Sequence, residues 1–324
     1  MAGGTERILK RRIKSVQSTK KITRAMELIA ASRIVRAQQR VAAARPYAEE
    51  ITKVIENLAA GGAGLAHPLL QEKEDVRTVG YVVITADRGL AGAYNANVIR
   101  LAERSLKRAQ NEGKDYSLIL VGKKGESYFR YRNYKIDASF EGMGDQPTYE
   151  DARQVAAKVI EAYEEGRVDR VELVFTRFLS VGSQRPVLHR FIPLDRSAIE
   201  EKTEAHEGPT ADYEFEPEPS EILSRLLPRY VEARLYSAML DAAASEHAAR
   251  QRAMKSATDN AEDLITRLSR QMNRARQDAI TTEIMEIVGG AEALRQGKSD
   301  EQDYFVDTVV SRDVLPDQID PSRR

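Results

Sequence analysis

Gly122-Lys123-Lys124-Gly125-Glu126-Ser127 directly follows an apolar run and is the segment of this chain nearest to a phosphate-binding loop. A P-loop needs its Lys and hydroxyl immediately after the second glycine, so that amides, ammonium and hydroxyl converge on one phosphate. Here the lysines precede that glycine, and the segment reads as a strand-to-helix turn with surface lysines. A longer loop, Asp87-Arg88-Gly89-Leu90-Ala91-Gly92-Ala93-Tyr94-Asn95, follows another apolar run. It lies where open α/β sheets hold ligands, at the carboxyl end of a strand. Its G-L-A-G lacks the G-x-G-x-x-G spacing of a dinucleotide site. Small residues there permit close packing, and Asp87 and Arg88 read as surface or interface charges. Ser245-Glu246-His247 invites a catalytic pair, but consecutive helical residues point about 100° apart. That trio reads as a solvated helix face. The four histidines, His67, His189, His206 and His247, form no metal-ligand spacing, and the absence of Cys excludes thiolate sites, disulfides and a Cys nucleophile. No catalytic residue, metal or cofactor is expected.

The charge distribution points instead to partners. The chain has 324 residues, 50 Lys and Arg against 50 Asp and Glu, and 42% apolar residues. That apolar share fills a core, and no run is long enough to span a membrane as a helix. The zero net charge hides an asymmetry. Residues 1–45 hold twelve bases against Glu6 and Glu27, whereas residues 200–221 hold nine acids against Lys202. A basic arm suits an acidic partner surface. Nucleic acid is disfavoured, because aromatics that would stack on bases are not interleaved with the basic residues.

The elements that position these residues differ along the chain. From Thr5 to Ala60 there is no Gly and one Pro, Pro46. Leu9, Ile13 and Val16, then Ile22, Met26 and Ile29, then Ile34, Ala37, Val41 and Ala44 recur at helical spacing. A long helix follows, kinked or interrupted at Pro46 and ended by Gly61-Gly62-Ala63-Gly64. Strands are expected at Val79–Thr85, Tyr116–Val121 and Val171–Phe178, with Arg185–Pro193 as a hairpin partner. Helices are expected at Asn97–Asn111, Lys124–Tyr131 and Tyr149–Glu165. This alternation implies a small α/β domain with a largely parallel sheet. A second long helix begins near Ser220, shows Leu264, Leu268, Met272, Ala275 and Ala279 on one face, and loses its regular pattern at Gly289-Gly290. Two such helices outrun any ordinary domain and must cover their stripes on each other. The fold expected is an α/β central domain plus a long antiparallel coiled coil of the N- and C-terminal helices. The boundaries are 1–60 for the first helix, 76–195 for the central domain, 196–219 for an acidic linker, 220–294 for the last helix and 295–324 for a disordered tail.

Ile13-Lys14-Ser15-Val16-Gln17-Ser18-Thr19-Lys20-Lys21-Ile22-Thr23-Arg24-Ala25-Met26 resembles the first helix of the gamma subunits of F-type ATP synthases. The loop Asp87–Asn95 resembles their central-domain loop. Ala244–Arg250 and Met254–Ala261 resemble their last helix, and Ala275–Ala291 is similar to their C-terminal signature. The resemblance runs in order over residues 5–294. The chain departs from the family in its tail beyond Leu294, in Pro228 within the last helix, and in Met285, where relatives often carry Thr. It lacks the cysteine-bearing insert of the chloroplast type, and its start matches mature bacterial members without a transit peptide.

What the resemblance implies is a shaft and not a catalyst. The coiled coil would fill the axis of a hexamer of alternating alpha and beta subunits, in one copy per complex. The central domain would be held by the epsilon subunit and the membrane c-ring. The protein would be peripheral, at the cytoplasmic face of the bacterial plasma membrane. Arg276 and Gln277 match positions that engage a beta-subunit loop. Met26, Arg250, Thr281, Glu283 and Glu286 match other coupling positions, and Ile280, Ile284, Ile287 and Val288 match the apolar bearing. The reading from a different class is a nucleotide-binding α/β regulator with helical arms, which would bind its ligand at Asp87–Asn95.

Overall fold

A computed structural model describes residues 2–60, 67–73, 75–194 and 218–310. The elements in chain order are α1 (Ala2–Ala60), a short 3-10 turn (Pro68–Leu70), β1 (Thr78–Ile84), α2 (Tyr94–Asn111), β2 (Asp115–Val121) and α3 (Lys123–Tyr131). There follow β3 (Ala138–Phe140), α4 (Tyr149–Glu164), β4 (Arg170–Phe178), β5 (Gln184–Ile192) and α5 (Pro219–Val310). The chain divides into two compact units, Lys21–Asp259 and Met1–Lys20 with Asn260–Arg324.

The larger unit is built on a five-stranded sheet of order β3-β2-β1-β4-β5. The first four strands are parallel, and β5 returns antiparallel to β4 through a tight hairpin. β1 reads as an unbroken apolar run because both of its faces are covered. One face packs α2 through Val98, Ala102 and Leu106 against Val79, Val83 and Val174, with Phe129 of α3 beside them. The other face packs α4, the C-terminal half of α1 (Ile51, Ile55, Leu58) and the N-terminal half of α5 (Leu223, Leu227, Val231, Leu235). A capping box starts α4, in which Thr148 accepts from the Asp151 amide and Asp151 accepts from the Thr148 amide. The short edge strand β3 was not expected; three residues carry too little periodicity to announce a strand.

Within this unit α1 and α5 run antiparallel. Thr23 Oγ1 lies 2.8 Å from Thr258 Oγ1, and further along α1 Ala37 borders the same small cavity as Leu240 and Ala243. The stripe that α1 buries here is Thr23, Glu27, Ala30, Ile34 and Ala37. It is not the expected Ile22–Met26–Ile29 stripe: Ile22 and Ile29 stay 59% and 54% exposed. Small and polar residues let α1 approach α5 closely, with Thr paired to Thr, so the larger apolar side chains turn outward. Pro46 does not interrupt α1, which continues to Ala60 with the proline exposed. The burial of Ile51, Ile55 and Leu58 against the sheet holds the last turns in place.

In the smaller unit Lys20 pairs with Glu262 at 3.0 Å. Ile13 and Leu268, both buried, fall opposite each other in the same antiparallel register. Extended from Lys20–Glu262, that register sets Ala2 opposite about Ile280, so α5 outruns α1 beyond this point. α5 then passes through Gly289 and Gly290 without a break and stays helical to Val310. Neither glycine takes the positive φ that a helix-ending glycine uses. The pattern therefore does not end at Gly289-Gly290, and 295–310 is helix where a disordered tail was expected. The linker residues 195–217, the glycines 61–64 and the end of the tail, 311–324, lie outside the described residues.

Candidate functional site

The carboxyl edge of the sheet, where α/β folds hold phosphates, is occupied by the chain's own side chains. The Asp87 carboxylate accepts hydrogen bonds from the amides of Lys123, Gly142 and Gly144, each at 3.1 Å. Amides converging in this way make an anion-binding nest, and here the anion is internal. Next to it the Thr85 hydroxyl accepts from the Gly125 amide at 2.9 Å and lies 3.1 Å from the carbonyls of Val121 and Gly122. Gly122 has φ +98°, and a Cβ there would stand 2.1 Å from the Thr85 carbonyl oxygen. The segment Gly122–Ser127 is thus a packing turn, as its sequence order suggested. The loop Asp87–Asn95 is tethered, with Asn95 Oδ1 accepting from the Ala86 amide at 2.9 Å. Asp87 is the anchor of this loop rather than the surface or interface charge that its sequence suggests. The amides of Lys123, Gly142 and Gly144, which could otherwise meet a phosphate, are engaged by this carboxylate.

Ser245, Glu246 and His247 are buried, at 0%, 3% and 2% exposure, which corrects the solvated-face reading. Adjacent helical residues indeed point apart, but α5 is enclosed here on several sides, so each finds a different neighbour. Ser245 Oγ donates to the Thr176 carbonyl of β4 at 3.1 Å. Glu246 pairs with Arg250 one turn on. His247 Nε2 lies 3.2 Å from the Asp145 carbonyl, and Asp145 pairs with Arg33 of α1. Arg250 also donates to the Gly89 carbonyl at 3.3 Å and lies 3.4 Å from His247 Nδ1. One buried polar cluster therefore ties α5 to α1, to the Asp87–Asn95 loop and to the loop that carries Asp145. Burial is the largest influence on both ionisable partners in it, raising the Glu246 carboxyl and lowering the His247 imidazole. Arg250 partly offsets the first and Asp145 the second. Met26 is half-buried at a cavity of about 260 Å³ that it shares with Ala30, Leu90, His247 and Arg250. Arg250 and Met26 are thus brought together. The roles of Asp145, Arg33 and Asp87 were missed, because nothing in their local sequence marks them.

The remaining expected residues lie on the part of α5 in the smaller unit, and all are exposed. Arg276, Gln277, Thr281, Glu283 and Glu286 face solvent, as do Ile280 (47%), Ile284 (54%), Ile287 (65%) and Val288 (58%). Helical spacing sorts them into two adjoining stripes. Arg276, Ile280, Glu283 and Ile287 form one; Gln277, Thr281, Ile284 and Val288 form the other. Glu286 lies beside the first stripe, next to Glu283, and opposite the second. Several large apolar side chains exposed together on one helix mark a contact surface. Among the described residues no group of three or more His, Asp or Glu side chains is placed to hold a metal ion, and no helix is long and apolar enough to cross a membrane.

Residues 5–294 match the family described as ATP synthase. The chain is 54% identical over 298 residues to the ATP synthase gamma chain of Frankia casuarinae, covering 91% of this chain and 99% of that one. It is 48% identical to the gamma chain of Streptomyces coelicolor, covering 90% and 97%, and 48% identical to that of Mycolicibacterium smegmatis, covering 91% and 99%. The fold is similar to a chain of the Euglena gracilis mitochondrial ATP synthase (OSCP/F1/c-ring, rotational state 3), with TM-score 0.63, 20% identity, and 91% and 96% of the chains covered. It is also similar to a chain of the central stalk and c-ring of the Tetrahymena thermophila mitochondrial enzyme, with TM-score 0.56, 24% identity, and 73% and 99% covered. A long helix at each end, a mixed five-stranded sheet whose carboxyl-edge nest is filled from within, and near-full-length kinship at about half identity lead to one conclusion: this chain belongs to the ATP synthase gamma-chain family.

Proposed function

We propose that this gamma chain, the non-catalytic central-stalk subunit of an F-type ATP synthase, couples c-ring rotation to the three beta-subunit catalytic sites. The coiled coil turns inside the alpha–beta hexamer, and the central domain joins epsilon and the c-ring. One copy serves each complex, peripheral at the cytoplasmic face of the bacterial plasma membrane. A rotor biases a site only by contacting its states differently. Moving a site from 1:99 to 99:1 needs about 5.5 kcal/mol of such preference. The observation that carries this reading is the stretch of α5 that runs from Arg276 past the start of α1. There Arg276, Gln277, Thr281 and Glu283 alternate with Ile280, Ile284, Ile287 and Val288 on two adjoining exposed stripes. Apolar side chains on such a stripe suit a bearing, while Arg276 offers charge-assisted bonds to beta-subunit carboxylates. Arg250 and Met26 act lower down, where the shaft helices meet the loop Asp87–Asn95.

Reconstitution with alpha, beta and epsilon subunits and the membrane sector tests this. Arg276→Ala is expected to leave the melting temperature of the chain unchanged and to reduce proton-driven ATP synthesis several-fold. Full coupled synthesis in that variant would remove Arg276 from the mechanism, and failure of the chain to co-purify with alpha and beta would remove the rotor reading.

A further inference from the structure

We propose that His247 is the positioning residue for Arg250, and that it holds the guanidinium only as the neutral imidazole with its proton on Nε2. The two ring nitrogens meet opposite demands. Nε2 lies 3.2 Å from the Asp145 carbonyl, which can only accept, so Nε2 carries the hydrogen. Nδ1 lies 3.4 Å from one terminal nitrogen of Arg250, which can only donate, so Nδ1 presents its lone pair. The tautomer is thus fixed from both sides, and one ring links the β3–α4 loop to Arg250. The other terminal nitrogen of Arg250 is held by Glu246 and by the Gly89 carbonyl. With both terminal nitrogens held, the plane of the guanidinium fork is set. With one alone it can turn, in the wall of the cavity that it shares with Met26.

A second proton on this ring has to sit on Nδ1, where donor would face donor and cation would face cation. The surroundings sharpen the conflict. Arg33, Arg36 and Arg40 of α1 and Arg88 of the Asp87–Asn95 loop border the cavities that His247 touches, with Arg250 on its own helix. The acids facing it among the described residues are Asp145 and Glu246, engaged by Arg33 and Arg250 respectively. Burial holds the imidazole below its ordinary value of 6.5, and Arg250 and Arg33 act in the same direction, while Asp145 pulls the other way. Asp145 also supplies the alternative contact. Its Oδ1 is buried without a hydrogen-bond partner among the described residues and stands 3.7 Å from His247 Nε2. An unpartnered buried carboxylate oxygen is unfavourable, and an imidazolium beside it is attracted to it. Protonation therefore exchanges one contact for another: His247 tightens on Asp145 and releases Arg250.

That Arg250 takes part in coupling rests on the reading above; its positioning by His247 does not, and is tested on the full-length chain. Nitrogen NMR of the labelled histidines should show His247 as the Nε2–H tautomer at pH 7.5, titrating below pH 6.5. Rotation of the Arg250 guanidinium about its Nε–Cζ bond, read by carbon-detected NMR, should speed up about tenfold between pH 7.5 and 5.5. His247→Gln offers a carbonyl to Arg250 and an amide N–H to Asp145 and does not titrate, so rotation should stay slow at both pH values. His247→Leu keeps the bulk without an acceptor, so rotation should be fast at both. The melting midpoint of the native chain should fall relative to His247→Gln as pH drops below 6.5, because the folded state binds this proton less tightly than the unfolded one. Asp241 and Glu246 titrate in both chains and cancel in that difference. If His247→Leu does not fold, the comparison of the native chain with His247→Gln decides. An Nδ1–H tautomer, or a guanidinium whose rotation is the same in the native chain and His247→Gln at both pH values, would overturn the proposal. In the reconstituted complex His247→Leu should reduce proton-driven ATP synthesis several-fold and His247→Gln should retain it. Freed rotation with full synthesis would support the positioning by His247 and remove Arg250 from the coupling mechanism.

Discussion

Arg250 and Glu246 are a buried ion pair, 7% and 3% exposed, in which each charge is tolerable because of the other. Removing one partner strands the second, at a cost of about 3–5 kcal/mol. Arg250→Ala should therefore lower the unfolding free energy by about 3 kcal/mol or more in denaturant titration. Arg250→Met combined with Glu246→Met should recover much of that loss, because no unpaired charge remains. A single variant as stable as the native chain would show that the pair lies in water. Asp241 of α5 offers a second test at this scale. It borders a cleft of about 950 Å³ shared with Arg45, Glu49 and Lys53 of α1 and Arg177 of β4. Burial pushes its carboxyl from 3.8 up to about 6, while Arg177 and the Phe178 amide pull the other way. The folded state thus holds this proton more tightly than the unfolded state. The associated stability is complete below about pH 4 and is lost as pH rises through about 6. Asp241→Asn should flatten that part of the stability profile and raise stability at pH 7 by on the order of 2 kcal/mol. Unchanged pH dependence of the melting midpoint between pH 4 and 7 would place the carboxyl in solvent.

At the scale of elements, α5 is one helix of 92 residues carrying Pro228 in its interior and the adjacent pair Gly289 and Gly290, with Gly297 further on. Pro228 lies near its start, between Leu227 and Val231, which pack into the core against the sheet. Tertiary burial holds the helix across the missing amide hydrogen bond. Gly289 and Gly290 have no such support, since nothing lies within 4 Å of where a Cβ would stand. Each glycine in a helix interior costs about 1 kcal/mol relative to alanine. Gly289→Ala and Gly290→Ala together should therefore slow amide hydrogen exchange on both sides of the pair and raise the helical circular dichroism signal. Unchanged exchange would mean that the helix here is limited by something other than its glycines.

The whole molecule combines a neutral total charge with a strongly basic start. In the described residues the bases of α1 are mostly exposed, including Lys10, Arg11, Arg12, Lys14, Lys21, Arg24, Arg36 and Arg40. Such a helix presents a positive surface to whatever surrounds it. The family match ends at Leu294, whereas α5 continues to Val310. Truncation after Leu294 should thus leave assembly with alpha and beta subunits and coupled synthesis intact, as read by co-purification and proton-driven ATP synthesis. Loss of either would make the extension a functional part of the molecule.

The sequence by itself determined the class of every long element. Helical periodicity over α1 and α5 and β-branched runs at β1, β2 and β4 are local signals, repeated often enough to survive tertiary packing. The motif order did the same for kinship, and the misplaced lysines after Gly122 already argued against a phosphate loop. What only the tertiary structure decided was which face of a helix is buried and what a polar residue meets there. Ile22 and Ile29 are as apolar as any core residue, yet Thr23 and Glu27 take the buried side. Close approach of α5, with Thr258 opposite Thr23, selects small and matched groups over large apolar ones. Asp87, Asp145 and Arg33 gain their roles from partners 36 to 112 residues away, with Asp145 meeting both Arg33 of α1 and His247 of α5. Ser245-Glu246-His247 is solvated or buried according to how many neighbours surround α5. Periodicity along one chain carries no information about neighbours brought in from elsewhere, and burial is a property of those neighbours.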